Sequence, residues 1–158
     1  MKEKEKAMNP FVFDRKIDVV AIKVGSTDDE NIYVEKNKYY VERQRRTSIY
    51  YDTHYDIDEI LFGKLTSKAR DLYWYIVYHL PEGKDCINLK IADVRSKTGI
   101  SRNAIVTALQ SLKNANLITP KSQSIYWVNP MYVFKGNRLE YFKSLGDTYL
   151  NVVSIVKK

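Results

Sequence analysis

GISRNAIVTALQSLKNANLI, residues 99–118, is the stretch whose reading decides the fold. Gly99 can end a preceding helix in the left-handed region without a Cβ clash. Ser101 can cap the next helix, its hydroxyl accepting a bond from an orphan backbone N–H. Ile105, Ala108, Leu109 and Leu112 then recur at i, i+3, i+4 and i+7 and form one apolar face. The opposite face carries Arg102, Asn103, Thr107 and Gln110. Short polar and forked donors of this kind suit base edges and phosphates. The run therefore reads as the turn, second helix and exit of a helix-turn-helix, with a polar face suited to duplex DNA.

Upstream, Leu65-Thr66-Ser67 opens a long helix with Thr66 or Ser67 as cap. Its core stripe is Ala69, Leu72, Tyr73, Ile76, Val77 and Leu80. Trp74, Tyr75 and Tyr78 fall on the other sides, which predicts that the N-terminal segment or a second subunit covers its back. Pro81-Glu82-Gly83 stops it. Cys86–Lys90 alternates as a short strand, and Ile91–Thr98 reads as a short helix with Ile91, Ala92 and Val94 inward. The second helix spans Arg102–Ala115, and Asn116 marks its exit because Asn tolerates the left-handed region. Leu117–Thr119, a turn over Pro120–Gln123, and Ser124–Val128 then make a hairpin. Helix, strand, helix, helix, strand, wing, strand is the order of a winged helix.

The rest of the chain flanks this unit. Residues 1–9 read as a frayed charged leader. Lys16–Val24 and Asn31–Asn37 read as strands around a Gly25–Glu30 turn, and Lys38–Glu42 and Thr47–Tyr51 as strands around the basic run 43–46. His54–Leu65 fits a short helix or a connector. After the hairpin, Asn129 can cap and Pro130 suits a first helical position. Lys135-Gly136 breaks that turn, Asn137 can start a further short helix, and the terminal TYLNVVSIV reads as a strand with no legible partner. The expected class is α+β: a winged helix-turn-helix at 64–130, a β-rich N-terminal extension at 1–63, and short helices with a terminal strand at 131–158.

Charge agrees with the motif. The chain has 158 residues and a formal net charge of +7. Residues 1–63 hold 11 basic and 13 acidic side chains, residues 64–130 hold 10 and 4, and residues 131–158 hold 5 and 2. The positive excess thus lies mainly in the helix-turn-helix segment, the footprint expected of a polyanion partner. A lone cysteine, Cys86, excludes an internal disulfide and any zinc site of paired cysteines. No apolar run has the length of a membrane span, and MKEKEKAMNP lacks a signal peptide's apolar stretch. A cytoplasmic protein with no membrane partner is the expectation.

The stretch from Leu65 to Phe142 resembles the winged-helix part of the RepL-type plasmid replication initiators of Gram-positive bacteria. Residues 99–118 carry the generic part of that likeness. IYWVNPMYVFKGNRLEYF, residues 125–142, carries the more discriminating part: a wing strand, then Asn-Pro, an aromatic, and Phe-Lys-Gly with a polar pair. The resemblance implies a winged-helix fold and a role in replication initiation; phage replication or regulatory proteins can carry the same module.

Catalytic patterns are not legible. A nicking initiator needs two histidines one residue apart to hold a metal, plus a nucleophilic tyrosine. Here His54 and His79 are the only histidines, and the 13 tyrosines read as packing residues. His54-Tyr55-Asp56 reads as a strand or turn segment. No glycine-rich loop cradles phosphate, Gly136 being a turn, and Cys86 reads as a small buried hydrophobe. No catalytic residue, metal site or cofactor is assigned, and the expectation is a binding protein, not an enzyme.

The expected DNA-binding residues are Ser101, Arg102, Asn103, Val106, Thr107 and Gln110 on the second helix. Arg102 could fork onto guanine, Asn103 or Gln110 could pair with adenine, and Val106 could meet a thymine methyl. Lys121, Ser122 and Gln123 would place the wing on phosphate or the minor groove. Lys90, Arg95 and Lys97 would hold phosphates around the turn. The leading reading is sequence-specific double-stranded DNA binding for plasmid or phage replication. A transcription regulator could use the same surface, with replisome or RNA polymerase components as the respective partners. An assembly protein could instead use a winged helix as a protein adaptor. A homodimer is expected from Trp74, Tyr75, Tyr78, the N-terminal strands and the apolar terminal strand, since an open edge invites pairing.

Overall fold

The computed structural model describes residues 8–13, 15–23, 31–35, 38–42, 47–50, 57–146 and 149–157. A 3-10 turn at Pro10–Val12 precedes strands β1 (Ile17–Lys23), β2 (Asn31–Glu35), β3 (Lys38–Glu42) and β4 (Thr47–Tyr50). Helix α1 (Ile57–Glu59) continues directly as a π turn over Ile60–Lys64. Then come α2 (Ser67–His79), β5 (Cys86–Asn88), α3 (Ile91–Thr98), α4 (Arg102–Asn114), β6 (Ile118–Ser122) and β7 (Ile125–Val128). β8 (Val133–Lys135), α5 (Arg138–Leu145) and β9 (Leu150–Lys157) complete the order. The fold is α+β. The basic run 43–46, the 24–30 turn and His54-Tyr55-Asp56 lie outside the described residues.

Local chemistry explains the helices. Thr66 caps α2, its hydroxyl accepting from the Ala69 N–H at 3.2 Å. Ala69, Leu72, Tyr73, Ile76, Val77 and Leu80 are buried, as their spacing predicts. They meet Ile105, Ala108, Leu109 and Leu112 of α4 in one cluster, joined by Val94, Ile100, Leu117, Ile118 and Val128. Each buried Val, Leu or Ile among them contributes about 1.5–3 kcal/mol relative to exposure. On the back of α2, Tyr75 is half-buried and packs against the cluster, while Trp74 is 37% and Tyr78 46% exposed within this single chain. On α3 only Val94 is fully buried; Ile91 is half-buried and Ala92 is exposed, because eight residues present just two turns to the core. Cys86 is also only half-buried.

Among the described residues the strands form three sheets of three. β5-β7-β6 is antiparallel and lies beside the helical cluster. The hairpin turn is shorter than the sequence suggests. β6 runs through Pro120 to Ser122, and only Gln123-Ser124 turn, with Ser124 at φ 58°. Pro120 is tolerated because β6 is an edge strand with a register shift between Pro120 and Ser122. The Leu89 N–H donates to the Ser124 carbonyl at 2.7 Å and the Ser124 hydroxyl to Asn88 Oδ1 at 3.2 Å, which fixes the hairpin tip to the start of α3.

Strand pairing joins segments distant in sequence. β4 sits between β3 and β8, with Ile49 opposite Val133. β9 pairs in parallel with β1, from Ile17 opposite Leu150 to Lys23 opposite Lys157, so the terminal strand finds its partner within the chain. Asn129-Pro130 starts a turn, not a helix. The Asn129 Oδ1 accepts from the Met131 N–H at 3.0 Å, and the backbone then enters β8 to pair with β4. Asn137 does cap α5, accepting from the Glu140 N–H at 3.2 Å.

Residues 1–7 of the charged leader lie outside the described residues; its last residue is anchored. Asn9 is 1% exposed, and its Nδ2 donates to the carbonyls of Val128 at 2.9 Å and Asp85 at 3.4 Å. Neighbouring Val12 and Ile17 pack with Met131 and Phe142. Tyr141 closes the same joint, its hydroxyl donating to Asp85 Oδ2 at 2.7 Å. Burial, and then the Asp85 carboxylate it bonds, push the Tyr141 phenol well above its ordinary range, so it remains a donor. Asn9→Ala should therefore cost about 1–3 kcal/mol in a urea unfolding titration. A frayed leader would make the same substitution silent.

Candidate nucleic-acid interface

The turn between α3 and α4 is built by short-range hydrogen bonds. Gly99 adopts φ 72°, and its N–H donates to the Arg95 carbonyl at 2.9 Å. The Thr98 hydroxyl donates to the Val94 carbonyl at 2.6 Å and accepts from the Ile100 N–H at 3.2 Å. Ile100 is buried beneath the turn. Ser101 then caps α4, accepting from the Ala104 N–H at 3.3 Å. At the other end Asn116 takes φ 59°; its N–H reaches the Lys113 carbonyl and that of Leu117 the Leu112 carbonyl, the paired bonds of a Schellman motif. The Asn129 Nδ2 donates to the Asn116 carbonyl at 2.9 Å and ties this exit to the end of the hairpin.

With its apolar stripe buried, α4 presents Arg102, Asn103, Val106, Thr107 and Gln110 to solvent. Val106 is 50% exposed, an aliphatic side chain among polar ones. The Thr107 hydroxyl donates back to the Asn103 carbonyl at 3.0 Å and keeps its lone pairs outward. The Gln110 Nε2 donates to Asn114 Oδ1 at 2.9 Å. Asn114 is thus part of this polar row, one turn beyond Gln110 at i+4, a spacing that could have singled it out.

Other predicted residues are placed around this face. Lys90 and Gln123 line a groove of about 790 Å³ between the start of α3, the hairpin tip and Leu109 of α4. Arg95 and Lys97 occupy the last turn of α3 and are exposed. Ser101 and Ser122 are exposed too, Ser101 with its oxygen engaged as a cap. Lys121 is not drawn toward α4. Its ammonium lies 4.2 Å from the Trp127 ring centroid, a cation–π contact. Tyr126 and Val128 pack on the helical cluster, so by alternation Trp127, and Lys121 with it, belong to the sheet's other face. Lys64 of the π turn is a residue that sequence reasoning did not single out. It lines a recess of about 290 Å³ with Thr107, Gln110, Ser111, Asn114 and Ala115.

Among the described residues no group of three or more His, Cys, Asp or Glu side chains is placed to hold a metal ion. Among them too, no helix is long and apolar enough to cross a membrane.

Comparison with known families places this geometry. The family model described as Firmicute plasmid replication protein (RepL) matches residues 62–148, which runs from the π turn through α5. The chain belongs to the RepL family. The match covers α2, α3 and α4, the β5-β7-β6 sheet, β8 and α5, so α4 and its polar row lie within the family region. Comparison with curated proteins and with solved structures finds no match.

The cap is the most exposed support of this RepL member's α4. Ser101→Ala should lower stability by about 1 kcal/mol in a denaturant titration. A change below a few tenths of a kcal/mol would mean that the cap does not hold the start of α4.

Proposed function

We propose that this RepL-family protein is a winged helix-turn-helix DNA-binding protein that acts at a plasmid replication origin. α4 is the recognition helix, and the β6–β7 hairpin is the wing. The observation that carries the reading is the row Arg102, Asn103, Thr107 and Gln110, solvent-exposed on a helix whose opposite stripe is buried. A helix 10–12 Å across fits a major groove about 12 Å wide. Arg102 can fork onto guanine O6 and N7, Asn103 can pair with adenine N6 and N7, and Val106 can meet a thymine methyl. Lys90, Arg95 and Lys97 surround the turn and supply phosphate contacts. Lys121 joins them by leaving the Trp127 face. The function is recognition and positioning, without catalysis by this chain.

Order and charge support the same reading. α2, β5, α3, α4, β6, turn, β7 is the succession of a winged helix, and residues 64–130 carry a net +6. We further propose that two copies read two half-sites about one helical turn apart, because one such helix reaches only a few base pairs.

Salt dependence tests the charge argument. About five neutralised phosphates give a log–log slope of affinity against salt near −4.5. Fluorescence anisotropy with a duplex at several salt concentrations measures it. A flat response, or no binding at low salt, would contradict the proposal and favour a protein adaptor.

Substitution separates reading from holding. Arg102→Ala or Asn103→Ala should cost about 1–3 kcal/mol on a duplex selected from a random pool and relax base preference at one position. Lys90→Ala should weaken all sequences by a similar factor. Unchanged affinity of Arg102→Ala for the selected duplex would show that α4 is not the recognition helix.

A further inference from the structure

The outward face of α4 has two shoulders. On one side lies the groove of Lys90, Gln123 and Leu109. On the other lies the recess of Lys64, Thr107, Gln110, Ser111 and Asn114. A helix turns about 100° per residue, so Leu109 and Ser111 point about 160° apart with Gln110 midway between them. The two depressions therefore flank the polar row from opposite sides at the same level of the helix. Each contains one lysine, and no carboxylate lines either.

Lys64 is held there by the backbone that carries it. It closes the π turn, where the Leu65 N–H reaches back to the Ile60 carbonyl at 3.0 Å. The Arg70 guanidinium of α2 donates to the carbonyls of Leu61 at 3.2 Å and Leu65 at 3.3 Å, one on each side of Lys64 in the chain. Ile60, Leu61 and Leu65 are buried in the helical cluster, while Lys64 is exposed. π turns of this kind often sit at functional sites. Here the irregularity places a lysine on a held backbone beside the second half of α4.

We propose that Lys64 is a phosphate contact on the strand of the duplex opposite the one held by Lys90, and that Arg70 is its positioning residue. The inference rests on the proposed docking of α4 in the major groove. That groove is walled by two phosphate rows about 12 Å apart, so a helix lying in it meets one row on each flank. Lys64 and Lys90 stand where those rows would pass. The Arg70 Nη1 donates to both backbone carbonyls, so its contribution to DNA binding is to keep the π turn in place.

The test uses the full chain and a short duplex selected from a random pool. Lys64→Gln should make the salt slope shallower by about 0.9, the value for one lost phosphate contact, and weaken selected and unrelated duplexes by the same factor. Lys64→Arg should restore the slope. Lys84→Gln, the same charge change beyond the far end of α2, should leave it unaltered; that helix is about 20 Å long, more than two Debye lengths at physiological salt. Neutral methylphosphonates placed singly along each strand complete the test. The position that stops mattering in Lys64→Gln should lie on the opposite strand from the one that stops mattering in Lys90→Gln. A wild-type slope in Lys64→Gln, or both silent positions on one strand, overturns the inference while leaving the proposed function intact. Absence of salt-sensitive binding by the wild type overturns both.

Discussion

Everything at the candidate interface depends on the packing of α4 against α2. Ile105, Ala108, Leu109 and Leu112 must leave water together, and a helix with 3.6 residues per turn then has no freedom about its axis. Fixing that stripe fixes which side chains point away. Arg102, Asn103, Val106, Thr107 and Gln110 are outward because the four apolar neighbours are inward. The same burial closes both ends of α4. Ile100 under the turn and Leu117 after Asn116 belong to the cluster, so the left-handed residues Gly99 and Asn116 are held between buried anchors.

The rest of the molecule braces this arrangement through polar joints. Asn129 ties the exit of α4 to the end of β7, and Asn9 and Tyr141 tie the first described segment and α5 to Asp85 beside it. Arg138 is buried and donates to the Pro130 carbonyl at 3.0 Å, holding the turn that follows the hairpin. Such side chains are kept in the interior only because each bond replaces one lost to water. The RepL family region includes most of these joints, whereas the β1 and β2 strands precede it. The parallel pairing of β1 with β9 brings the first and last described strands into one sheet.

What could be read in the sequence was local. The stripes of α2 and α4, the caps at Thr66, Ser101 and Asn137, and the helix exits at Gly99 and Asn116 follow from periodicity and from single-residue stereochemistry. The family was legible in the Asn-Pro and Phe-Lys-Gly segment. What could not be read depends on distant partners. Pro120 looked like a turn residue, yet an edge strand has no need of its missing N–H. Pro130 looked like a helix start, but β8 is claimed by β4, about 80 residues earlier. Asn9 looked frayed because the carbonyls it serves lie at positions 85 and 128. Among the proposed site residues the polar row of α4 was legible for the same local reason. Lys64 was not, because its place beside α4 is set by a π turn and by Arg70, features that carry no pattern of their own. Lys121 shows the converse: its place in the hairpin was read from sequence, but its position in strand β6 and its seat on Trp127 were not.

The central claim is that duplex DNA meets this protein at α4. Backbone amide shifts of the 15N-labelled full chain, followed by NMR during titration with a selected duplex, test it most directly. The account requires the largest changes at Arg102–Gln110, with further changes at Lys90, Lys64 and Gln123, and little change along the Trp74 and Tyr78 side of α2. Changes concentrated on that aromatic side, with α4 unmoved, would contradict it.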